Sequence, residues 1–290
     1  MRKFYLESSA GERIKLNAED GIFLSSPSGL GFSLAPGYAD LKRGFFQAVS
    51  DETEPQNSFT ATLTFYKSEP YRQYLSFVNW AALAGQLLLI YVPVPGVEYY
   101  RQVDISYLTK GELNAVGALD VPVSFSCLTP WYEKTPSSLD MQNNQDSIIR
   151  YTYYYTDDLI YGTDSAAALS GTIYPAGHVP GSMLLTYRGA ILNPRIRLTG
   201  NISGKTYGLT AVEASFEASD TFELSTQYRD SHAFKIAADG SVTDLMDALS
   251  LSTEPFWHIP IDEPCTISVE SDAAFSGTAE LVLLYYYRSV

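Results

Sequence analysis

The segment Phe59-Thr-Ala-Thr-Leu-Thr-Phe65 decides the fold class of this 290-residue chain. Its apolar residues alternate with threonines, and a period of two places successive side chains on opposite faces of a β-strand. The β-branched threonines are typical of a sheet face that is half exposed. The segment therefore predicts a strand that turns one face into a hydrophobic core.

Strand-like patterns recur along most of the chain. Short apolar or alternating runs, separated by turn residues, predict further strands at 87–92, 183–187, 195–198, 221–225, 266–269 and 278–287. Short strands separated by turn signals are typical of β-sandwiches and β-barrels. The sequence therefore predicts a mainly β protein.

One segment of the first half has the period of a helix instead. Its apolar positions follow i, i+3, i+4, i+7 and i+11 spacing, at Tyr71, Tyr74, Leu75, Val78 and Ala82. Ser68 is a candidate cap, Pro70 stands in the first turn, and Gly85 ends the pattern. We expect a helix over 70–82 that lies across a sheet and buries Tyr74, Leu75 and Val78.

A second, brief helix is expected after Ser241. Ser241 and Asp244 have the spacing of a capping box, in which two side chains satisfy the free N–H groups of a helix start.

Turn-forming residues concentrate between Thr129 and Asp146, which include two prolines and the amide run Gln142-Asn-Asn-Gln145. A chain of this length predicts about two domains. We therefore expect an N-terminal domain over 1–132, a linker over 133–147 and a C-terminal domain over 148–290. The first is expected to be a β-barrel or sandwich with one helix, and the second a β-sandwich.

Composition and charge indicate which classes of partner, among nucleic acids, proteins and membranes, the chain is expected to bind. The formal net charge is −14 and there is no basic run, so specific binding of nucleic acid is not expected. Charged residues make up only 18% and there are 22 tyrosines, a composition typical of a surface that is partly interface. The most apolar stretch, 80–94, is shorter than the roughly 20 residues that a membrane helix needs.

The cysteines and the N-terminus indicate a cytoplasmic site of synthesis. Two cysteines, Cys127 and Cys265, are too few for a secreted disulfide scaffold. Cys265 alternates with Ile267 and Val269, so it is expected to be a small buried hydrophobe. No apolar run follows Met1-Arg-Lys3 before Glu7, so no signal peptide is expected.

The sequence offers no candidate catalytic, cofactor-binding or metal-binding residues. Gly29-Leu-Gly31 has Leu34 where a dinucleotide fingerprint needs a third glycine, and a turn is the better interpretation. The histidines, His178, His232 and His258, lack the spacing of a zinc site. Gly200-Asn-Ile-Ser-Gly204 does not have nucleophile-elbow spacing and reads as a hairpin turn.

Pairs of carboxylates, which glycosidases use in catalysis, do not supply a candidate catalytic site either. Asp157 and Asp158 are adjacent and point to opposite faces of a strand, and the pair Glu213 and Glu217 is unremarkable among 33 acidic residues. No enzymatic activity, metal or cofactor is therefore expected.

Aromatic clusters leave a carbohydrate-binding module open as an alternative. The rings that could stack on sugars are Tyr151, Tyr153, Tyr154, Tyr155, Trp257, Tyr285, Tyr286 and Tyr287. Alternating tyrosines in strands more often pack a sandwich and bring their hydroxyls to its rim.

Several segments together resemble the distal tail proteins of long-tailed, non-contractile bacteriophages. In the first half these are Phe23-Leu-Ser-Ser-Pro-Ser-Gly-Leu-Gly31, Tyr71-Arg-Gln-Tyr-Leu-Ser-Phe-Val-Asn79, Leu87-Leu-Leu-Ile-Tyr-Val-Pro93, Tyr99-Tyr-Arg-Gln-Val-Asp104, Leu108-Thr-Lys-Gly-Glu112 and Val123-Ser-Phe-Ser-Cys-Leu-Thr-Pro-Trp-Tyr132. In the second half they are Leu192-Asn-Pro-Arg-Ile196, Phe256-Trp257 and the final aromatic strand. Together, and in this order, these segments span nearly the whole chain.

The resemblance implies a structural virion protein at the tail tip. It implies an N-terminal domain that assembles into a hexameric ring, and a C-terminal galectin-like β-sandwich displayed outward. The partners that it implies are further copies of the chain, the tail tube protein, the tail-associated tip protein and the receptor-binding protein.

Overall fold

The computed structural model describes residues 2–31, 38–41, 45–48, 58–142, 149–150, 160–161, 168–250, 254–273 and 275–290. The chain divides into two compact units. The first comprises Met1–Glu133 and Tyr287–Val290, and the second comprises Lys134–Tyr286.

Among its described residues, the first unit contains one helix, nine whole strands and the start of a tenth that continues into the second unit. The strands are β1 (Lys3–Ser8), β2 (Arg13–Lys15), β3 (Ile22–Ser28), β4 (Tyr38–Leu41), β5 (Phe45–Ala48), β6 (Ser58–Phe65), β7 (Leu87–Val92), β8 (Tyr99–Leu108), β9 (Leu119–Cys127) and the start of β10 (Trp131–Gln142), and the helix is α1 (Pro70–Leu83).

Seven of these strands form one curled antiparallel sheet. Its order is β2-β1-β7-β8-β9-β6-β3. The two ends of the sheet meet beyond β2, where Leu24 N–H donates to Leu16 O at 3.1 Å and Ala18 N–H donates to Ile22 O at 3.0 Å. These bonds close the sheet into a barrel.

The barrel core confirms the alternation that the sequence predicts for β6. Phe59, Leu63 and Phe65 are fully buried, Ala61 is buried, and the intervening threonines are exposed or half-buried. The ring of Phe59 contacts Trp131 with 6.5 Å between centroids. Buried core residues come from every strand of the sheet except β2, from which the half-buried Ile14 packs against the same cluster, so a single cluster holds the barrel together.

The helix lies where the sequence predicts it, but it presents a different face to the core. Phe77 is its buried residue, and its ring lies 5.9 Å from that of Phe65. Tyr74 and Trp80 pack beside it, whereas Leu75 is 57% exposed. The prediction that Leu75 is buried is wrong. The aromatic stripe displaces the aliphatic one because each ring removes more apolar area from water.

The start of the helix also differs from the prediction. The N-cap is Glu69, which makes no side-chain capping hydrogen bond, so Ser68 is not the cap. Pro70 stands in the first turn, where its missing N–H costs nothing.

The predicted linker over 133–147 begins as strand. The long strand β10 runs to Gln142 and pairs with later residues of the second unit, and 143–147 lie outside the described residues. The end of the chain departs from the predicted division as well, because Tyr287–Val290 belongs to the first unit. There the Tyr287 hydroxyl donates to Glu133 Oε2 at 3.3 Å, and Val290 N–H donates to Leu30 O at 3.1 Å.

The second unit is built almost entirely of strands. They are the end of β10, then β11 (Ile149–Arg150), β12 (Ile160–Tyr161), β13 (Ala168–Ile173), β14 (Val179–Leu192), β15 (Arg195–Gly200), β16 (Thr206–Ala211), β17 (Ser215–Phe216), β18 (Thr221–Gln227), β19 (Asp230–Ile236), β20 (Val242–Asp244), β21 (Cys265–Glu270) and β22 (Ser276–Tyr287).

Ten of these strands form the two antiparallel sheets of a β-sandwich. One sheet has the order β10-β13-β21-β15-β16, and the other has the order β22-β14-β18-β19-β20. Alternate residues along the central strands are buried, as in sandwiches generally. Cys265 is fully buried in this core, which confirms its predicted role as a small hydrophobe.

The brief helix expected after Ser241 is displaced and shorter than predicted. Residues 242–244 form β20, and one 3-10 turn follows at Met246–Ala248. The Asp244 carboxylate accepts a hydrogen bond from Met246 N–H at 2.9 Å, so it acts at the start of this turn.

The buried side chain of Trp257 is hydrogen-bonded to the edge strand β16. Its side chain is 2% exposed, and its indole N–H donates to Thr210 Oγ1 at 3.0 Å. The Thr210 hydroxyl in turn donates to Pro255 O at 2.5 Å. The ring lies against Gly208, where a Cβ would overlap the indole. Only glycine therefore admits the ring at this point of the strand.

Phe77→Ala is expected to lower the free energy of unfolding of the first unit by about 3–5 kcal/mol, the cost of deleting a buried ring. Leu75→Asp, the matched control on the same helix, is expected to change it by less than about 0.5 kcal/mol, because the side chain faces water. Urea unfolding of the full chain distinguishes the two variants. Hydrogen exchange of the β6 amides reports the stability of the first unit in each. A Leu75→Asp variant that fails to fold would contradict the observed helix face.

Gly208→Ala is expected to destabilise the second unit by about 1–3 kcal/mol, because its Cβ must displace the buried Trp257 ring. Gly31→Ala is the control, since a Cβ there meets open space. Near-ultraviolet circular dichroism and thermal unfolding measure both effects. Equal melting of the two variants would show that the Trp257 site accommodates a methyl group.

Candidate functional site

The outer face of α1 exposes large apolar side chains. Leu75 is 57% exposed and Leu83 is 87% exposed, while Val78 and Ala82 lie beside them on the same face. A groove of about 360 Å³ runs between the end of this helix and β8. Its lining is mostly apolar and includes Val78, Ala81, Ala82, Leu87, Ile105 and Leu108.

Polar contacts fix the helix in place at its two ends. The Tyr71 hydroxyl donates to Glu112 Oε2 at 2.7 Å, and this hydrogen bond raises the pKa of the phenol. The ammonium group of Lys110 lies 4.4 Å from the centre of the same ring. Toward the other end, the Trp80 indole N–H donates to Glu12 Oε2 at 3.1 Å. The outer face is therefore presented on a rigid element.

The second unit carries a polar cavity of about 390 Å³ beside the start of β15. Arg195 forms an ion pair with Asp272, and the Asn193 amide donates to the same carboxylate at 2.9 Å. Glu213 also lines the cavity. None of the described lining residues is aromatic, so the cavity offers no ring on which a sugar could stack.

Glu263 holds the hairpin turn that contains Asn201 and Ser203. Its carboxylate accepts hydrogen bonds from the N–H groups of Ile202 and Ser203, both at 2.9 Å, and from the Ser203 and Tyr207 hydroxyls, both at 2.5 Å. These four donors lower the pKa of the carboxyl to about 2. The turn predicted from Gly200-Asn-Ile-Ser-Gly204 is confirmed, and Ser203 serves the turn.

The three histidines lie apart in separate contacts. His232 lies between Glu223 Oε1, at 3.1 Å, and Asp230 Oδ1, at 3.2 Å. His258 stacks on Tyr228 with 4.4 Å between ring centroids, and burial lowers its pKa. Within the part of the chain that the structure describes, no three His, Cys, Asp or Glu side chains are grouped to hold a metal ion.

The other candidate residues take structural positions or lie outside the described ranges. Gly29 follows β3 with φ +101°, and a Cβ there would collide with the Ser58 carbonyl. Glu217 belongs to the turn before β18, where its N–H donates to Asp220 Oδ2 at 2.9 Å. Asp157 and Asp158 fall among residues that are not described.

Of the described rings proposed for sugar stacking, three are buried and Tyr287 is half-buried. Tyr286 is fully buried, Trp257 is 2% exposed and Tyr285 is 7% exposed. Tyr287 packs its ring edge against Tyr99 in the first unit. The tyrosines at 151 and 153–155 lie outside the described residues. The described rings therefore contribute packing to their units.

Comparison with known families assigns the first unit. Residues 3–128 match the family model described as the distal tail protein, N-terminal domain.

The first unit is therefore a distal tail protein N-terminal domain.

Solved structures extend the likeness in fold to the whole chain. A chain of the phage P2 baseplate in its activated conformation with calcium is 16% identical, with a TM-score of 0.70 and coverage of 100% of both chains. The SPP1 distal tail protein, described as a paradigm of the hub adsorption apparatus in phages that infect Gram-positive bacteria, is 11% identical. It matches with a TM-score of 0.56, over 97% of this chain and 98% of its own.

Comparison with curated protein sequences finds no match to this chain. Among its described residues, no helix has the length and hydropathy required to cross a membrane.

The sequence pattern did not reveal the face of α1 or the role of Glu263. The spacing of Leu75, Val78 and Ala82 is that of a core stripe, and the competing aromatic stripe at Tyr74 and Phe77 has similar spacing. Glu263 is separated by about 60 residues from the turn that it binds, and nothing in the local sequence indicates that pairing.

Glu263→Gln is expected to lower the melting temperature at pH 7, because an amide cannot accept all four hydrogen bonds. The wild-type carboxylate has a depressed pKa, so its stabilisation is present above about pH 4.5 and is lost as the pH falls toward about 2. The variant lacks this part of the pH dependence. Thermal unfolding of both proteins between pH 2 and pH 7 measures the difference, and parallel curves would contradict the role assigned to Glu263.

Proposed function

We propose that this protein is the distal tail hub of a phage baseplate, joining the tail tube to the tail-associated tip protein and to the receptor-binding protein. The observation that carries the proposal is the match of residues 3–128 to the distal tail protein N-terminal domain. The likeness in fold to phage P2 baseplate and SPP1 hub chains along the full length supports it.

In this proposal the first unit forms a closed homo-oligomeric ring, hexameric as the family resemblance implies. A closed ring requires one patch of each copy to meet a different patch of its neighbour. The net charge of −14 suits a ring through which DNA passes, because an acidic surface repels the phosphate backbone.

The second unit is proposed to be a galectin-like β-sandwich that is displayed outward and docks peripheral tail-tip proteins. A fold of this kind does not by itself confer sugar binding, since function depends on the site. Three of the four described rings that would have stacked on sugars are buried and Tyr287 is half-buried. No described residue that lines the polar cavity beside β15 is aromatic. The carbohydrate-binding alternative therefore has less support than the hub.

The proposed role is structural and has no enzymatic step. The chain is made in the cytoplasm of the host bacterium and is incorporated at the tail tip of the virion. Among the candidate residues, Ser203, Glu217 and His232 make contacts within turns and hairpins.

Imaging of assembled particles by electron cryo-microscopy tests the proposal. We expect density for a ring of this chain between the tail tube and the tip, with the second unit on its outside. Density at the capsid or on a peripheral spike would refute the hub assignment.

A further inference from the structure

A long stretch of the first unit lacks charge. Residues 73–97 contain no Asp, Glu, Lys or Arg, although charged residues make up 18% of the chain. The stretch covers most of α1, the turn at Gly85, the strand β7 and the turn after it. Burial accounts for the uncharged strand, because β7 is central to the barrel sheet. It does not account for the helix and the turns, which reach the surface.

The exposed part of this stretch combines large apolar side chains with the uncharged polar residues Ser76, Asn79 and Gln86. Leu75, Leu83 and Val94 are 57%, 87% and 54% exposed, and Ala82 is exposed on the same helix. A surface helix of a globular protein ordinarily carries charged or polar residues on its outer face. Here the only charged residue of the helix is Arg72, in its first turn. We call the surface formed by Leu75, Val78, Ala82 and Leu83 the outer stripe of α1.

The groove beside β8 extends the outer stripe. Val78 and Ala82 line both, and Ile105 and Leu108 form the far wall of the groove. One exposed charge, that of Asp104, lies in this lining. A helix ridge beside an apolar groove is the shape that receives a complementary surface, and continuous exposed apolar area of this kind marks protein interaction sites.

The charge of the chain indicates which partner the outer stripe receives. Two copies that each carry −14 repel one another wherever acidic surfaces meet. They approach at low cost through a surface without charge, and charged residues are depleted at the cores of protein interfaces. An uncharged stripe gives no electrostatic attraction toward a basic partner, but it removes the repulsion that opposes self-association.

We propose that the outer stripe of α1 and its groove are a contact surface for a second copy of this chain. The inference rests on the ring of the proposed function and names one of the two patches that each copy contributes. Leu83 is its central residue, because it is the most exposed large apolar side chain of the stripe.

Self-association of the full chain, measured by light scattering from micromolar to millimolar concentration, tests the inference. Wild-type protein is expected to rise above its monomer mass of 32.0 kDa. Leu83→Glu is expected to weaken this association by about tenfold or more, because it places an acid in the contact. Val242→Glu, an equal charge change at a 58% exposed position of the second unit, is expected to associate like wild type.

Two outcomes of that series overturn the inference. One is a wild type that stays monomeric over the whole range, and the other is a Leu83→Glu variant that associates as wild type does. Unchanged melting of Leu83→Glu shows that the variant is folded. Leu83→Ala, which adds no charge, is expected to weaken association less and in the same direction.

Site-directed cross-linking identifies the partner directly. Leu83→Cys is labelled with a benzophenone maleimide, while the native Cys127 and Cys265 are buried. Illumination is expected to yield cross-linked copies of this chain, in solution and in assembled particles. Cross-links to a different tail protein alone would overturn the inference and leave the hub assignment intact, which particle imaging tests separately.

Discussion

Closure of the barrel sheet is the constraint on which the first unit depends. An open sheet leaves a row of unpaired backbone groups at each edge, and closure removes both edges. Here two main-chain hydrogen bonds across the short connection from β2 to β3 join the ends. The strands then share one interior, into which Phe59 and Trp131 project with no exposed surface. The position of the helix and the burial of its aromatic stripe both follow from the barrel that this closure creates.

Competition between two stripes on one helix explains why an exposed apolar face exists at all. Tyr74, Phe77 and Trp80 offer rings that fill the gap over the barrel, and the ring of Phe77 meets that of Phe65. Once that stripe is buried, the geometry of a helix forces Leu75 and Ala82 outward. A globular protein with no partner would gain solubility from polar residues there. The exposed Leu75, Ala82 and Leu83 beside the polar Ser76 and Asn79 are instead consistent with the contact surface that we propose.

The strands and the helix were predictable from the sequence because their signals are local. Alternation identified β6, and a continuous apolar run gave the bounds of β7 as they stand in the structure. The orientation of the helix was not predictable, since Leu75 and Phe77 both belong to plausible stripes and only tertiary packing selects between them. The continuation of β10 past Glu133 was likewise not predictable from the sequence. Pro136 and the serines near it favour a turn locally, whereas the pairing with β13 that extends the strand forms farther along it. The candidate contact surface depended on this orientation and therefore emerged only from the structure.

The return of the last four residues to the first unit has a consequence for how such a protein can change over time. The second unit is an insertion, entered at Lys134 and left at Tyr286, and the residues that flank it, Glu133 and Tyr287, are joined by a hydrogen bond. A short loop therefore suffices to bridge the same two positions. Recombination at this pair can delete the sandwich or exchange it for another module while the barrel keeps all of its strands. The barrel and the sandwich are thereby encoded as separable parts of one gene.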